Sequence, residues 1–138
     1  EGKGRNKPDN IKNSENYSNE QIKYINKSAH FIKNKLPDAK FYLWSNDFMN
    51  LKKEDLKFDF NIVDTSSFKD NFDLRAFSLF LLSSCKHFIV TPSTFNWWGA
   101  WLSKNHNKIV TRPSEDFFSL FKVNNTDFWP NNWIKINE

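Results

Sequence analysis

From Asn19 to Pro113 the chain alternates between two hydrophobic periods, and this alternation restricts its fold more than any other feature. Ile22, Ile25, Ala29, Ile32 and Leu36 recur at helical spacing, with Lys23, Lys27 and Lys33 mostly off that face. The helix is expected to stop at "LPDAK", because a residue before proline is steered away from helical angles. "KFYLWSND" then offers a short apolar run, Phe41 to Trp44, that suits a buried strand. A short helix is expected through Leu51 and Leu56, and "FDFNIVDT" reads as the next strand. Leu74, Phe77, Leu81 and Leu82 return to helical spacing after Asp73, a residue placed to cap that helix. "HFIVT" as strand, "STFNWWGAWLS" as helix and "KIVTRP" as a strand stopped by Pro113 complete the series. Helices interleaved with short strands rich in Val, Ile and aromatics predict βαβ units, hence an α/β fold with a parallel sheet covered by helices on both faces. Ligands of such sheets sit at the carboxyl ends of the strands, which singles out Ser45-Asn46-Asp47, Asp64-Thr65-Ser66 and Thr91-Pro92-Ser93.

A length of 138 residues suits one domain, or part of a larger one. Residues 1–18 are polar and carry Gly2, Gly4 and Pro8, so they are expected to form a flexible lead-in to a domain over 19–138. The net charge of +4 comes from scattered lysines rather than a block, which favours attraction to small anions over a nucleic-acid stripe. No apolar run approaches the roughly twenty residues of a membrane span, so the chain reads as soluble. The lone Cys85 allows no internal disulfide, and its apolar neighbours mark it as core filler. His30, His87 and His106 are too far apart in sequence to form a metal-ligand pattern, and no Gly-x-Ser-x-Gly elbow exists. With only three glycines, a glycine-rich phosphate loop is excluded too.

The remaining route to an anion site is a helix mouth. If a helix opens at Pro92-Ser93-Thr94-Phe95, Ser93 is the N-cap and the amides of Thr94, Phe95 and Asn96 have no partner within the helix. Those amides, the positive end of the helix dipole and two hydroxyls form a cradle for phosphate. Read from spacing alone, Ser93 is first of all a cap with no ligand. Phe95, Trp97, Trp98, Trp101 and Leu102 leave the helix apolar nearly all round, so its tryptophans are expected in the core. Gly99 costs about 1 kcal/mol in mid-helix relative to alanine, which a close approach to the sheet or to another helix would justify.

"FLLSSCKHFIVTPSTFNWWGAWLSKNHNKIVTRP" resembles the bacterial alpha-1,2-fucosyltransferases of glycosyltransferase family 11, whose signature runs Leu-Met-Ser-x-Cys-Lys-His, an apolar strand, then Asn-Ser-Thr-Phe-Ser-Trp-Trp-Gly-Ala-Trp-Leu. "FYLWSNDF" is similar to the family's Phe-x-x-Phe-Ser-Asp-Asp segment, and "DFWPNNWIKI" to its closing Asp-x-x-Pro-x-x-Trp-Ile-Lys-Ile. The resemblance runs from Phe41 to Ile136. It implies the Rossmann-like C-terminal half of a GT-B enzyme, lacking its first strand, that moves fucose from GDP-fucose to a sugar hydroxyl with inversion and without a metal or other cofactor. Ser93, Thr94 and Phe95 would then face the donor diphosphate, with Ser45, Asn46 and Asp47 beside the nucleoside. Ser78, where many members carry an aspartate, joins the donor-facing set. Pro92 replaces the family's Asn before Ser-Thr-Phe, and Asn46 replaces the first aspartate of Ser-Asp-Asp.

The family's His-x-Arg-Arg-x-Asp motif, whose arginine balances the leaving diphosphate, is nowhere in the chain. The resemblance places it on a strand ahead of the first helix, so the expected partners are an N-terminal half of the same enzyme, a nucleotide sugar and a glycan acceptor. The catalytic residues are not identifiable, and the chain alone is expected to turn over little or nothing. The expected location is cytoplasmic, with at most a peripheral attachment at the inner membrane. The rival reading is a non-catalytic nucleotide- or glycan-binding module.

Overall fold

The computed structural model describes residues 11–45, 52–65, 73–114 and 127–137. The elements run α1 (Ile11–Lys35), β1 (Phe41–Leu43), a single 3-10 turn (Lys53–Asp55), β2 (Phe60–Ile62), α2 (Leu74–Ser83), β3 (Phe88–Ile89), α3 (Thr94–Leu102), β4 (Val110–Arg112) and β5 (Ile134–Lys135). Helix and strand alternate as the periodicity predicts, and every strand pair is parallel. The chain therefore has the Rossmann-like α/β fold.

The described strands form two sheets instead of one. β1 pairs with β2 alone, and β3, β4 and β5 form a second sheet in that order. In the first, Tyr42 lies opposite Asn61; in the second, Phe88 lies opposite Val110 and Thr111 opposite Ile134. The last strand, β5, falls within the "DFWPNNWIKI" segment, where the periodicity predicts no strand.

α1 also departs from expectation, opening at Ile11 instead of Asn19, so residues 11–18 are helix and not a flexible lead-in. Tyr17, inside that extension, packs against the main core, which gives the added turns an apolar anchor. The inward face of α1 is Tyr24, Ser28, Ala29 and Ile32, all buried. Tyr24 is fully enclosed, and its phenol donates to Val90 O at 2.9 Å and lies 3.3 Å from Thr111 Oγ1. Leu36 Nα closes the last turn on Ile32 O, after which Pro37 ends the helix.

The main core gathers Leu82 from α2, Phe88 and Val90 around β3, Ala100 from α3, Val110 from β4, and Trp129 and Trp133 before β5. Trp129 and Trp133, both buried, fix the terminal segment to the domain. Asp73 caps α2, its carboxylate accepting from the amides of Arg75 (3.0 Å) and Ala76 (3.4 Å). These charge-assisted bonds hold its carboxyl below the usual range.

α2 and α3 pack directly on one another, and Gly99 is the reason they can. A Cβ at Gly99 would lie 2.6 Å from Leu82 Cγ, well inside van der Waals contact. The glycine is therefore required by its neighbouring helix. Its face and that of Ala100 turn inward, which rotates the opposite side of α3 outward. Trp98, Trp101 and Leu102 are consequently about half exposed, at 49%, 53% and 51%. The expectation of a helix buried all round, with core tryptophans, is corrected: α3 is one-sided. Trp97 is the tryptophan of α3 that packs against the core, stacking on Trp101 at 5.1 Å and donating its indole N–H to Phe128 O at 2.8 Å. The carboxyl end of α3 is closed by Lys108, whose ammonium donates to Ala100 O (2.6 Å) and Ser103 O (2.9 Å).

Candidate functional site

β3 delivers the chain to the mouth of α3. Val90 still bonds the neighbouring strand, its amide donating to Thr111 O at 3.0 Å. Beyond it, Thr91, Pro92 and Ser93 cross from strand to helix, with Ser93 in extended geometry (φ −140°, ψ 128°) at the N-cap position. The Ser93 amide turns back to Thr91 O at 2.6 Å, and Asn96 Nδ2 donates to Thr91 Oγ1 at 2.5 Å. The crossing is thus tied at both ends by its own residues.

The Ser93 hydroxyl makes no capping hydrogen bond. The first intrahelical donor is the amide of Trp97, bonded to Ser93 O at 2.9 Å. The amides of Thr94, Phe95 and Asn96 precede it and have no acceptor in the helix. The mouth of α3 therefore presents three amides, the Ser93 hydroxyl and the exposed Thr94 side chain at the carboxyl end of a parallel strand. Phe95 points the other way, half-buried against the main core, where it anchors the first turn.

The other candidates fall in two groups. Ser45 is exposed just beyond β1, while Asn46 and Asp47 lie outside the described residues. Trp44, which precedes Ser45, packs against the same core cluster as Phe95, so the loop after β1 and the mouth of α3 stand on one foundation. Ser78, half-buried in α2, lies 2.9 Å from the hydroxyl of Thr65. That bond ties the loop leaving β2 to α2, and it gives Ser78 a structural partner. Thr65, in a strand-end loop, and Asn96, through its amide at the helix mouth, were within reach of sequence reading, but their side-chain bonds to Ser78 and Thr91 were not. Both are polar groups beside strand-end loops, but only the fold shows whom they bond.

Two ionisable groups near the sheets have structural positions. His87 Nδ1 accepts from the Ile109 amide at 3.0 Å, and its pKa is lowered by burial and by the neighbouring Lys86. Cys85 packs against the core, and burial raises its thiol pKa, as suits filler and not a nucleophile. Among the described residues no three His, Cys, Asp or Glu side chains gather. No described helix is long and apolar enough to cross a membrane.

A parallel α/β domain with a helix mouth open at a strand end is a frame that many phosphate-binding proteins share. Comparison with known proteins narrows it. The family model for glycosyl transferase family 11 matches residues 8–137. An alpha-1,2-colitosyltransferase of Escherichia coli is 27% identical over 83% of this chain and 38% of its own length. The O-antigen biosynthesis glycosyltransferase WbnK of the same organism is 44% identical over 43% of this chain and 20% of its own length. No solved structure matches. The chain belongs to glycosyltransferase family 11, and it spans well under half the length of these relatives.

Proposed function

We propose that this chain is the donor-binding part of a GT-B glycosyltransferase that moves fucose from GDP-fucose to a sugar hydroxyl, forming an alpha-1,2 linkage with inversion. Family membership supports the transferase class. The linkage is supported by the name of the alpha-1,2-colitosyltransferase relative, which also makes colitose the competing sugar. The observation that carries donor binding is the unengaged Ser93 hydroxyl beside three unpaired amides at the end of β3.

In this reading the donor diphosphate sits against the amides of Thr94, Phe95 and Asn96, with the Ser93 and Thr94 hydroxyls donating to its oxygens. Charge-assisted bonds of that kind are stronger than neutral ones and need no metal to form. Ser45, Asn46 and Asp47 lie toward the nucleoside, and Ser78 orders the adjoining loop through Thr65. The acceptor-binding site and the arginine that balances the leaving group come from an N-terminal half of the same enzyme. A cytoplasmic location fits a nucleotide-sugar donor.

Calorimetry with GDP, GDP-fucose and a GDP-linked colitosyl donor tests the reading. GDP binding is expected, and Ser93→Ala with Thr94→Ala should weaken it by about 1 to 2 kcal/mol without unfolding the chain. A folded double mutant with unchanged affinity would remove the cradle from the argument. Binding of plain sugars without GDP would favour a glycan-binding module instead.

A further inference from the structure

The outward side of α3 is an apolar surface that nothing in the described residues covers. Thr94, Trp98 and Trp101 follow one another at i, i+4 and i+7 down one side of the helix, and Leu102 adjoins Trp98 at i+4. Trp98, Trp101 and Leu102 are each about half exposed. A single exposed apolar residue needs no explanation, but a contiguous patch marks an interaction surface. Trp97 donates its indole N–H to Phe128 O, whereas the indole N–H groups of Trp98 and Trp101 meet no protein acceptor among the described residues. Each of these two rings therefore offers an apolar face together with a free donor.

Charge is segregated in the same part of the chain. From Leu74 to Ser114 there is no Asp or Glu, while Arg75, Lys86, Lys104, Lys108 and Arg112 are cations, so this segment accounts for the whole net charge of +4. Lys86, Lys104 and Lys108 all belong to the carboxyl end of α3. Lys104 is exposed two residues past Leu102. Lys86 is exposed in the loop after α2, and its carbonyl accepts from Asn105 Nδ2 at 2.7 Å. The Ser103 hydroxyl donates to Cys85 O at 3.3 Å, so the loops that end α2 and α3 form one ledge. Lys108 closes the helix end from below, its ammonium on Ala100 O and Ser103 O. Against these lysines the segment before β5 brings the exposed Asp127, next to the Phe128 that Trp97 bonds.

We infer that the carboxyl end of α3 docks on a bilayer of anionic lipid, with Trp98, Trp101 and Leu102 entering the headgroup layer and Lys86 and Lys104 meeting its charge. Tryptophan settles at the level of the headgroups, where an apolar ring and a wet N–H are both satisfied. A run of cations without one anion suits a uniformly negative surface, and each lysine close to such a leaflet adds about fivefold in affinity. Protein interfaces favour arginine and are depleted in lysine, the reverse of this ledge. The attachment is peripheral, because no described helix is long and apolar enough to cross a membrane. The mouth at Thr94 lies about 12 Å up the helix from Leu102, so docking leaves it open. Nothing in this inference rests on the proposed donor.

Flotation of the chain with vesicles, without nucleotide, tests the docking. Phosphatidylcholine vesicles holding about one third phosphatidylglycerol should carry the chain, and pure phosphatidylcholine vesicles should not. Raising the salt from about 0.1 M to about 1 M should release it. Lys86→Gln with Lys104→Gln should weaken binding by about thirtyfold, and Trp98→Gln with Leu102→Gln by about tenfold or more. All four side chains are exposed, so the melting temperature of each variant should stay near that of the parent. A second reading keeps the aromatic packing: dibrominated phosphatidylcholine in the anionic vesicles should quench the unaltered chain, and Trp98→Phe with Trp101→Phe should remove most of that quenching while flotation persists. No flotation, equal binding to neutral vesicles, or quenching that survives both phenylalanine substitutions overturns the inference. So does a dimer of the chain that Trp98→Gln dissociates in sedimentation, since a second copy would then be the occupant of the patch.

Discussion

Gly99→Ala tests the packing that shapes α3. Two effects oppose one another. Alanine gains about 1 kcal/mol of helix propensity over glycine. Against this, the new Cβ would sit 2.6 Å from Leu82 Cγ, where the overlap must be relieved. Overpacking a core costs about 1 to 3 kcal/mol. The upper figure applies here, because Cγ is fixed by the first side-chain torsion of a residue only 8% exposed and cannot swing aside as a chain end would. The net expectation is a loss of about 2 kcal/mol. Leu82→Ala alone should cost about 2 to 5 kcal/mol as a cavity. In the double variant the clashing atoms are gone and the propensity gain remains, so adding Gly99→Ala there should stabilise by about 1 kcal/mol. The cycle thus carries a coupling of about 3 kcal/mol, large for one pair. Urea unfolding followed by tryptophan fluorescence measures all four states. Effects that add within about 0.5 kcal/mol, or a single Gly99→Ala variant more stable than the parent, would refute the contact.

Two further outcomes follow from buried groups. Tyr24→Phe deletes a phenol bonded to Val90 O and near Thr111 Oγ1 in a fully enclosed site, so unfolding should become easier by about 1 to 3 kcal/mol in thermal or urea melts. A change below about 0.5 kcal/mol would mean that water reaches Val90 O. His87 holds its folded pKa below 6.5 while the unfolded imidazole titrates there, so below that value the unfolded chain binds the extra proton. The stability it contributes is complete above 6.5 and is lost as pH falls through its folded pKa. Urea midpoints measured across about pH 5 to 8 should decline toward acid, and His87→Gln should flatten that slope. A slope unchanged by the substitution would assign it to other groups.

Periodicity places most of the helices and strands, because each element must bury one face or stripe and the spacing of apolar residues records which; the first turns of α1, the short β5 and the reduction of the expected helix before β2 to one 3-10 turn escaped it. Asp73 as a cap, Pro37 as a stop and the strand-end loops were legible for the same local reason, and so was the mouth of α3 at Ser93. The sheet could not be read that way. A parallel sheet is built from contacts distant in sequence, and no local pattern tells that β1 pairs only with β2 while β3, β4 and β5 form a second sheet. The orientation of α3 was hidden as well. Its apolar residues surround the helix, so hydrophobicity did not choose a face; Leu82 of another helix did, by meeting Gly99 and turning Trp98 and Trp101 to the surface. What the sequence decided was local geometry and chemistry; what the tertiary structure decided was which of several equally apolar surfaces finds a neighbour.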